Sequence, residues 1–402
     1  MTTQPFDFVV AGGGIAGVLT AVKLCISKPS CKVILLEKEP HLGGRLVTGG
    51  TSDSFGYGMN AISAKLYDYW NQILKNDPES NDLPSFSSQR LEKCSILMGN
   101  KLTPLSTSDL CNEKGARALG GLAAQRQWGE IDAILTSGEE SGTFADKWKL
   151  PRKSPGPLVL ETYSQAFGIT NIWDSSVAAI SERGKCLTER PFSGNWDLAL
   201  KATVERFISS GQLTIELNAR IIDADFTEGQ GWNIDSAKGV VQASSLIVAQ
   251  PPWIASQWLP KTYWPAPLAA LNSKTKPVST VVLSAPIISG FDDSVPQLIF
   301  IPSENSHAIV NNREIVLKAN IDYEMSLVAP DVVKSVKKLK RGLKKLTASL
   351  PQLVVGIDHV ALVPVSWAQT PLSSERRHIE KIKLNSVQES QLSFCGDAYG
   401  NS

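Results

Sequence analysis

The segment FDFVVA (residues 6–11) is largely apolar on both faces and runs directly into GGGIAG (residues 12–17). A strand with two apolar faces belongs in a parallel sheet covered on each side. The stretch from about Ile15 to Ser27 has helical character, and CKVILLEK (31–38) reads as a second apolar strand ending at Glu37 and Lys38. Strand, glycine turn, helix and strand make one complete βαβ unit. Parallel strands need such a crossover, so this unit commits the chain to an α/β fold.

The glycines of that unit also carry chemistry. Gly12, Gly14 and Gly17 are spaced as GxGxxG. The spacing alone is common in turns; between a strand and a helix it marks a dinucleotide site. Gly12 permits the tight turn, Gly14 lets a pyrophosphate approach the backbone, and Gly17 lets the helix pack against the strand. Ile15, Ala16 and Gly17 open the helix, where unsatisfied N–H groups and partial positive charge favour an anion. Glu37 ends the second strand 20 residues after Gly17, with Lys38 beside it in the same cofactor-binding turn. A carboxylate there accepts hydrogen bonds from ribose hydroxyls, and its charge disfavours a 2′-phosphate. The expectation is a Rossmann-type nucleotide-binding domain.

Composition excludes several other classes. Of 402 residues, 42% are apolar and 20% charged, with a formal net charge of +1. This is ordinary globular composition, long enough for two domains and without global attraction to nucleic acid. The six cysteines (Cys25, Cys31, Cys94, Cys111, Cys186, Cys395) form no CxxC pair and read as reduced thiols. The histidines His41, His307, His359 and His378 show no metal-ligand spacing. No apolar run approaches the roughly 20 residues that span a bilayer. The N-terminus lacks the basic segment and cleavage site of a secretory leader. The expectation is a cytoplasmic protein acting on a small molecule, with no nucleic acid, no metal and no stable membrane span. The oligomeric state stays open.

Further along, AKLYDYWNQILKN, GTFADKWKL and PLVLETYSQAFG give residues 64–191 a helical character. A helix is expected near Asp197–Ser209, and LTIELNARIIDADFTEGQGWNID (213–235) alternates as a strand pair or meander. SSLIVAQPP ends an apolar strand on two prolines, and VSTVVLSA, QLIFI, REIVLKANI and DHVALVPVSW are further strands. Between them, about Pro330–Leu350 is an amphipathic helix with Val332, Val336, Leu339, Leu343, Leu346 and Leu350 on one face. Its other face carries Lys334, Lys337, Lys338, Arg341, Lys344 and Lys345. A solvated face is the plain reading; an acidic partner or a membrane surface is the sharper one.

LLEKEPHLGGRLVT (35–48) resembles the segment after the second strand in the flavin amine oxidase superfamily. That superfamily includes monoamine and amino-acid oxidases, protoporphyrinogen oxidases, phytoene desaturases and renalase-like proteins. The matching residues are Glu37, Gly43, Gly44, Arg45 and Thr48. The resemblance implies glycines against FAD and an arginine beside its pyrophosphate or flavin, where a guanidinium meets phosphate in two parallel hydrogen bonds. NARIIDADF (218–226) resembles the strand whose backbone holds the adenine, at Ile221 here. GWNIDSAKGVVQASSLIVAQPP (231–252) resembles the strands that return to the nucleotide domain, and LSFCGDAYG (392–400) the second FAD signature. Gly396 and Asp397 would then meet the ribityl chain, and Trp367 would lie near the flavin.

The resemblance implies a Rossmann-type FAD-binding domain (1–63, 192–264 and 362–402) with an inserted mixed α+β substrate domain (64–191 and 265–361). It also implies noncovalent FAD and hydride transfer from an amine or amino acid to flavin N5. C–C desaturation, ring oxidation, renalase-like oxidation of a nicotinamide derivative and a non-catalytic binding role on the same fold are the alternatives. Some relatives carry a lysine near N5; VSTVVLSA (278–285) has none, and no catalytic residue is assigned. FGYGMNAI (55–62) lacks the acidic residue of many amine oxidases. Relatives continue past the Gly-Asp element into a helix facing the flavin. Either this helix is absent or the sequence continues beyond Ser402; without it, chemistry is expected to slow more than cofactor binding.

Overall fold

The structure, a computed structural model, describes residues 5–44, 64–76, 88–90, 93–109, 111–137, 142–166, 192–194, 196–263, 278–290, 297–310, 314–322, 326–365 and 391–395, with scattered positions from 172 to 184. Phe6–Ala11 forms the expected central strand. Val33–Leu36 pairs with it in parallel on one side and Gly239–Val248 on the other. Leu213–Glu216 extends the sheet beyond Val33–Leu36, and Leu392–Phe394 extends it beyond Gly239–Val248, both in parallel.

Val9, Val10 and Ala11 are each fully buried, because both faces of this sheet are covered. Val10 and Leu35 pack with Val18 and Val22 of the helix Ile15–Ser27, and with Trp70, Trp196 and Phe207 of the helices Ala64–Lys75 and Trp196–Ser209. Trp70 Nε1 donates to Thr203 Oγ1 at 3.0 Å, which ties the last two helices together. Val9, Ala11, Ile34 and Leu36 face the opposite way, toward Trp232, Ile234, Trp258 and Leu259.

Alternation through residues 213–235 predicts a strand pair or meander, and the structure places part of the segment elsewhere. Ile221–Thr227 and Gly231–Ser236 do form an antiparallel meander with residues 239–243. Leu213–Glu216 instead becomes the outer parallel strand. A strand at a sheet edge is covered less than a central one, so its pattern alternates even in a parallel sheet.

The second sheet holds eight strands. In order these are Val354–Val355, Val278–Ser289, Glu314–Asp322, Ser306–Val310, Gln297–Ile301, Lys93–Met98 and Lys101–Ser106, with His359–Val365 also on Val278–Ser289. The hairpin Lys93–Ser106 sits within a stretch whose character is helical. Its two-residue Gly99–Asn100 turn, with Gly99 at φ 62°, is the local signal for it. Ser306–Val310, buried along its whole length, is a further strand that alternation does not reveal. Glu113–Thr136 is a helix kinked at Gly121, and it packs with Pro155–Ala166 over one side of the sheet. The helix Pro330–Ser349 covers the other side through Val332, Leu339 and Leu346, against Val281, Leu283, Ile299, Leu317 and Ala319.

Candidate nucleotide and substrate site

The glycine turn sits at the carboxyl end of the central strand. Gly12 has φ 113° and donates its N–H to Leu36 O at 2.8 Å, which closes the turn onto the neighbouring strand. A Cβ on Gly17 would overlap the carbonyl oxygen of Gly12, so only glycine lets the helix start this close to the turn. Gly14 is different. It caps the helix in an ordinary extended conformation (φ −68°, ψ 173°), and a Cβ there would meet no protein atom within 4 Å. Protein packing therefore does not require a glycine at this position; a ligand approaching the backbone would. The helix has no side-chain cap and no acidic residue in its first turn, which leaves the Ile15–Gly17 amides for an anion.

Glu37 is buried (7% exposed) and holds the turn together. Its Oε2 accepts from Gly13 N at 2.6 Å and its Oε1 from Glu39 N at 2.9 Å. An ionised carboxylate has about four acceptor sites, so two remain for ribose hydroxyls. Gly13 is needed here as well, because a Cβ would run into Leu42 and Glu37. Ala219 N donates to Glu37 O at 2.8 Å and Asn218 N to Glu39 O at 3.1 Å, which draws Ile221 to the same edge. Ile221 lines, with Arg220, Ile222, Ala237, Gln257 and Trp258, a recess of about 360 Å³. Lys38, by contrast, is half exposed and pairs with Glu39 at 3.2 Å.

The second glycine motif docks on the first. Gly43 N donates to Gly13 O at 2.9 Å, and Gly14 and Gly43 form an isolated parallel bridge. Gly44, at φ 52°, would place a Cβ 3.2 Å from the Gly14 Cα. Arg45, Thr48, Trp367, Gly396 and Asp397 lie outside the described residues. Cys395 immediately precedes Gly396 and donates its N–H to Val248 O at 2.9 Å. The strand leading to Gly396 thus ends at the same sheet edge as the glycine turn. Gly13, Ala249 and Gln250 complete the site without a motif of their own. Gln250 packs its Cγ against Gly12 and accepts from Trp258 Nε1 at 2.8 Å.

Glu37→Ala removes the acceptor for two backbone amides and is expected to destabilise the cofactor-free protein by about 1–3 kcal/mol. It should weaken nucleotide retention as well. Urea unfolding measures the first effect; an unchanged midpoint would show that water or another group satisfies the Gly13 and Glu39 amides.

The second sheet carries a polar band. Lys318 is 2% exposed, and His307 and Val282 are its neighbours in register on the flanking strands. Two residues along, Thr280 Oγ1 donates to Asn320 Oδ1 at 2.8 Å. Leu317 and Ala319 face the helix Pro330–Ser349, so Lys318 and Asn320 point to the other side. Val282 and Val316 on that side are fully buried yet belong to neither apolar cluster of this sheet. Burial pushes the Lys318 ammonium down to about 7, opposed by Glu314. Burial, then the Lys318 charge, pushes His307 down to about 3. The band lies toward the Val278–Val365 end of the sheet. VSTVVLSA itself has no lysine; strand pairing brings one alongside it. The sequence trace is a single lysine within the apolar run IVLKANI (315–321).

Comparison with known proteins defines the class. Residues 10–76 match the NAD(P)-binding Rossmann-like domain family. No curated protein matches this sequence. An oxidoreductase from Methanosarcina mazei superposes with TM-score 0.64 at 15% identity, covering 98% of this chain and 94% of that one. Cyclohexylamine oxidase from Brevibacterium oxydans gives TM-score 0.62 at 12% identity, covering 97% and 93%. A putrescine oxidase bound to putrescine gives TM-score 0.60 at 13% identity, covering 97% and 93%. The chain is an α/β protein with a Rossmann-like dinucleotide domain. Its fold is shared with these oxidoreductases along essentially its whole length.

Proposed function

We propose that this protein is an FAD-dependent oxidoreductase that oxidises a C–N bond in an amine or amino acid. The observation that carries the reading is the docking of Gly43 and Gly44 onto Gly13 and Gly14, beside an open approach to the Gly14 backbone. Nicotinamide enzymes need only the first glycine turn; the added second element favours FAD. The folds of cyclohexylamine oxidase and putrescine oxidase favour an amine.

In this reading the Ile15–Gly17 amides would hold the pyrophosphate, Arg45 would sit beside the pyrophosphate or the flavin, and Glu37 would hold the adenosine ribose, with Lys38 next to it in the cofactor-binding turn. The Ile221 backbone would meet the adenine, Gly396 and Asp397 would meet the ribityl chain, and Trp367 would lie near the flavin. Bound FAD supplies the hydride acceptor. The substrate domain comprises residues 64–191 and 265–361, and its first helix Ala64–Lys75 packs on Ile15–Ser27. The polar band of Thr280, Lys318 and Asn320 faces the substrate. A Lys318 that is partly neutral at pH 7 can accept a proton from an ammonium substrate, which must be deprotonated before it gives up hydride.

The cofactor assignment is tested by colour and release. Purified protein is expected to be yellow, and acid precipitation to leave intact FAD in the supernatant. Flavin retained on the pellet, or FMN or a nicotinamide nucleotide released instead, would overturn it. Anaerobic bleaching against amines, amino acids, nicotinamide derivatives and tetrapyrroles then decides the substrate class.

A further inference from the structure

The outward ridge of the helix Pro330–Ser349 begins at an exposed apolar turn. The helix buries Val332, Ser335, Leu339, Gly342 and Leu346 against the sheet. On the opposite side Val333, Lys334, Lys337, Arg341 and Lys344 face solvent. The helix carries six lysines and one arginine against a single aspartate. Some of these cations are paired: Lys334 with Asp331, Lys340 with Asp358, and Arg341 and Lys345 with Glu304. Lys337, Lys338 and Lys344 have no anionic partner among the described residues. Just before the helix, Leu327 is 50% exposed and Val328 83% exposed, and Val333 at the start of the ridge is 38% exposed.

A solubilising helix face needs the charges but not the apolar tip. A nucleic acid or acidic protein would satisfy the lysines and leave Leu327 and Val328 in water. An anionic bilayer takes both: apolar side chains enter the boundary between headgroups and acyl chains while lysines meet lipid phosphates. No helix among the described residues is long and apolar enough to cross a membrane, so such contact is peripheral. We propose that residues 326–349 form a docking surface for an anionic lipid bilayer, with Leu327 and Val328 inserted and the Lys337–Lys344 ridge lying on the headgroups.

Co-sedimentation of the full chain with vesicles tests this whether or not flavin is bound. The protein is expected to sediment with phosphatidylcholine vesicles containing phosphatidylglycerol, and not with phosphatidylcholine alone. Raising the salt should release it, because exposed charges are screened. The double variant Lys337→Glu/Lys344→Glu should bind at least about tenfold more weakly. Leu327→Ser/Val328→Ser should do so by a similar factor while keeping the melting temperature, since these side chains are exposed. Failure to sediment with anionic vesicles, or equal binding by the parent and both variants, would overturn the proposal. Loss of binding in the lysine variant alone, with equal affinity of the parent for heparin, would also overturn it and assign the ridge to a soluble polyanion.

Discussion

Gly14→Ala is expected to give a protein that folds as stably as the parent yet binds FAD about a hundredfold more weakly. The added methyl meets no protein atom within 4 Å, and the backbone there is in a conformation that alanine adopts freely. It does occupy the space through which a pyrophosphate reaches the Ile15–Gly17 amides. Loss of two charge-assisted hydrogen bonds at about 1.5 kcal/mol each, the lower end of their range, accounts for a factor of that size. Gly17→Ala is the contrasting case. Its methyl overlaps the Gly12 carbonyl, so the turn itself must move. Overpacking against backbone costs about 1–3 kcal/mol or more, and both stability and cofactor binding should fall. Thermal unfolding of the cofactor-free proteins, with FAD fluorescence titration, separates the two. Tight binding by Gly14→Ala would mean that the cofactor phosphates do not approach this turn.

Lys318→Met is expected to stabilise the protein and to flatten its stability above neutral pH. The folded-state value of Lys318 is about 7 against 10.5 for the free side chain. Below about pH 7 the native state holds a buried ammonium, and the cost is fully present. As pH rises from about 7 to 10.5 the unfolded chain keeps a proton that the native state has lost, so the parent gains stability across that window. The full change corresponds to about 4–5 kcal/mol. Methionine keeps the length without the charge and should be most stabilising at pH 6–7. Urea unfolding of both proteins from pH 6 to 10 measures the difference. A parent curve that does not rise relative to the variant would show that Lys318 stays charged when buried. His307 acts in a separate window: held neutral down to about pH 3, it removes stability as pH falls below 6.5. Catalytically, Lys318→Met should abolish the neutral-pH limb of substrate-dependent flavin reduction while leaving FAD content unchanged.

The parts of the fold legible in the sequence are those whose cause is local. Val9, Val10 and Ala11 announce a strand buried on both faces, and the glycines and Glu37 announce the nucleotide turn, because each requirement falls on residues close in the chain. The helices Ile15–Ser27, Trp196–Ser209 and Pro330–Ser349 follow from their own periodicity. The Gly99–Asn100 turn was equally local, but its two short strands sit in a stretch of helical character, and the hairpin joins a sheet only where Lys93–Met98 pairs with Gln297–Ile301.

What tertiary structure alone decided has a different cause. Leu213–Glu216 joins the parallel sheet because Val33–Leu36 offers it an open edge, not because its residues differ from those of a meander strand. Gly43 meets Gly13, and the two glycine motifs become one site, through hydrogen bonds between segments 30 residues apart. Lys318 is an ordinary lysine in the sequence and a buried, partly neutral one in the fold, since strand pairing sets it beside Val282 and His307. Periodicity and turn chemistry report the conformation of a segment. Edge pairing, backbone docking and desolvation depend on which distant segment arrives beside it, and that is settled only when the chain has folded.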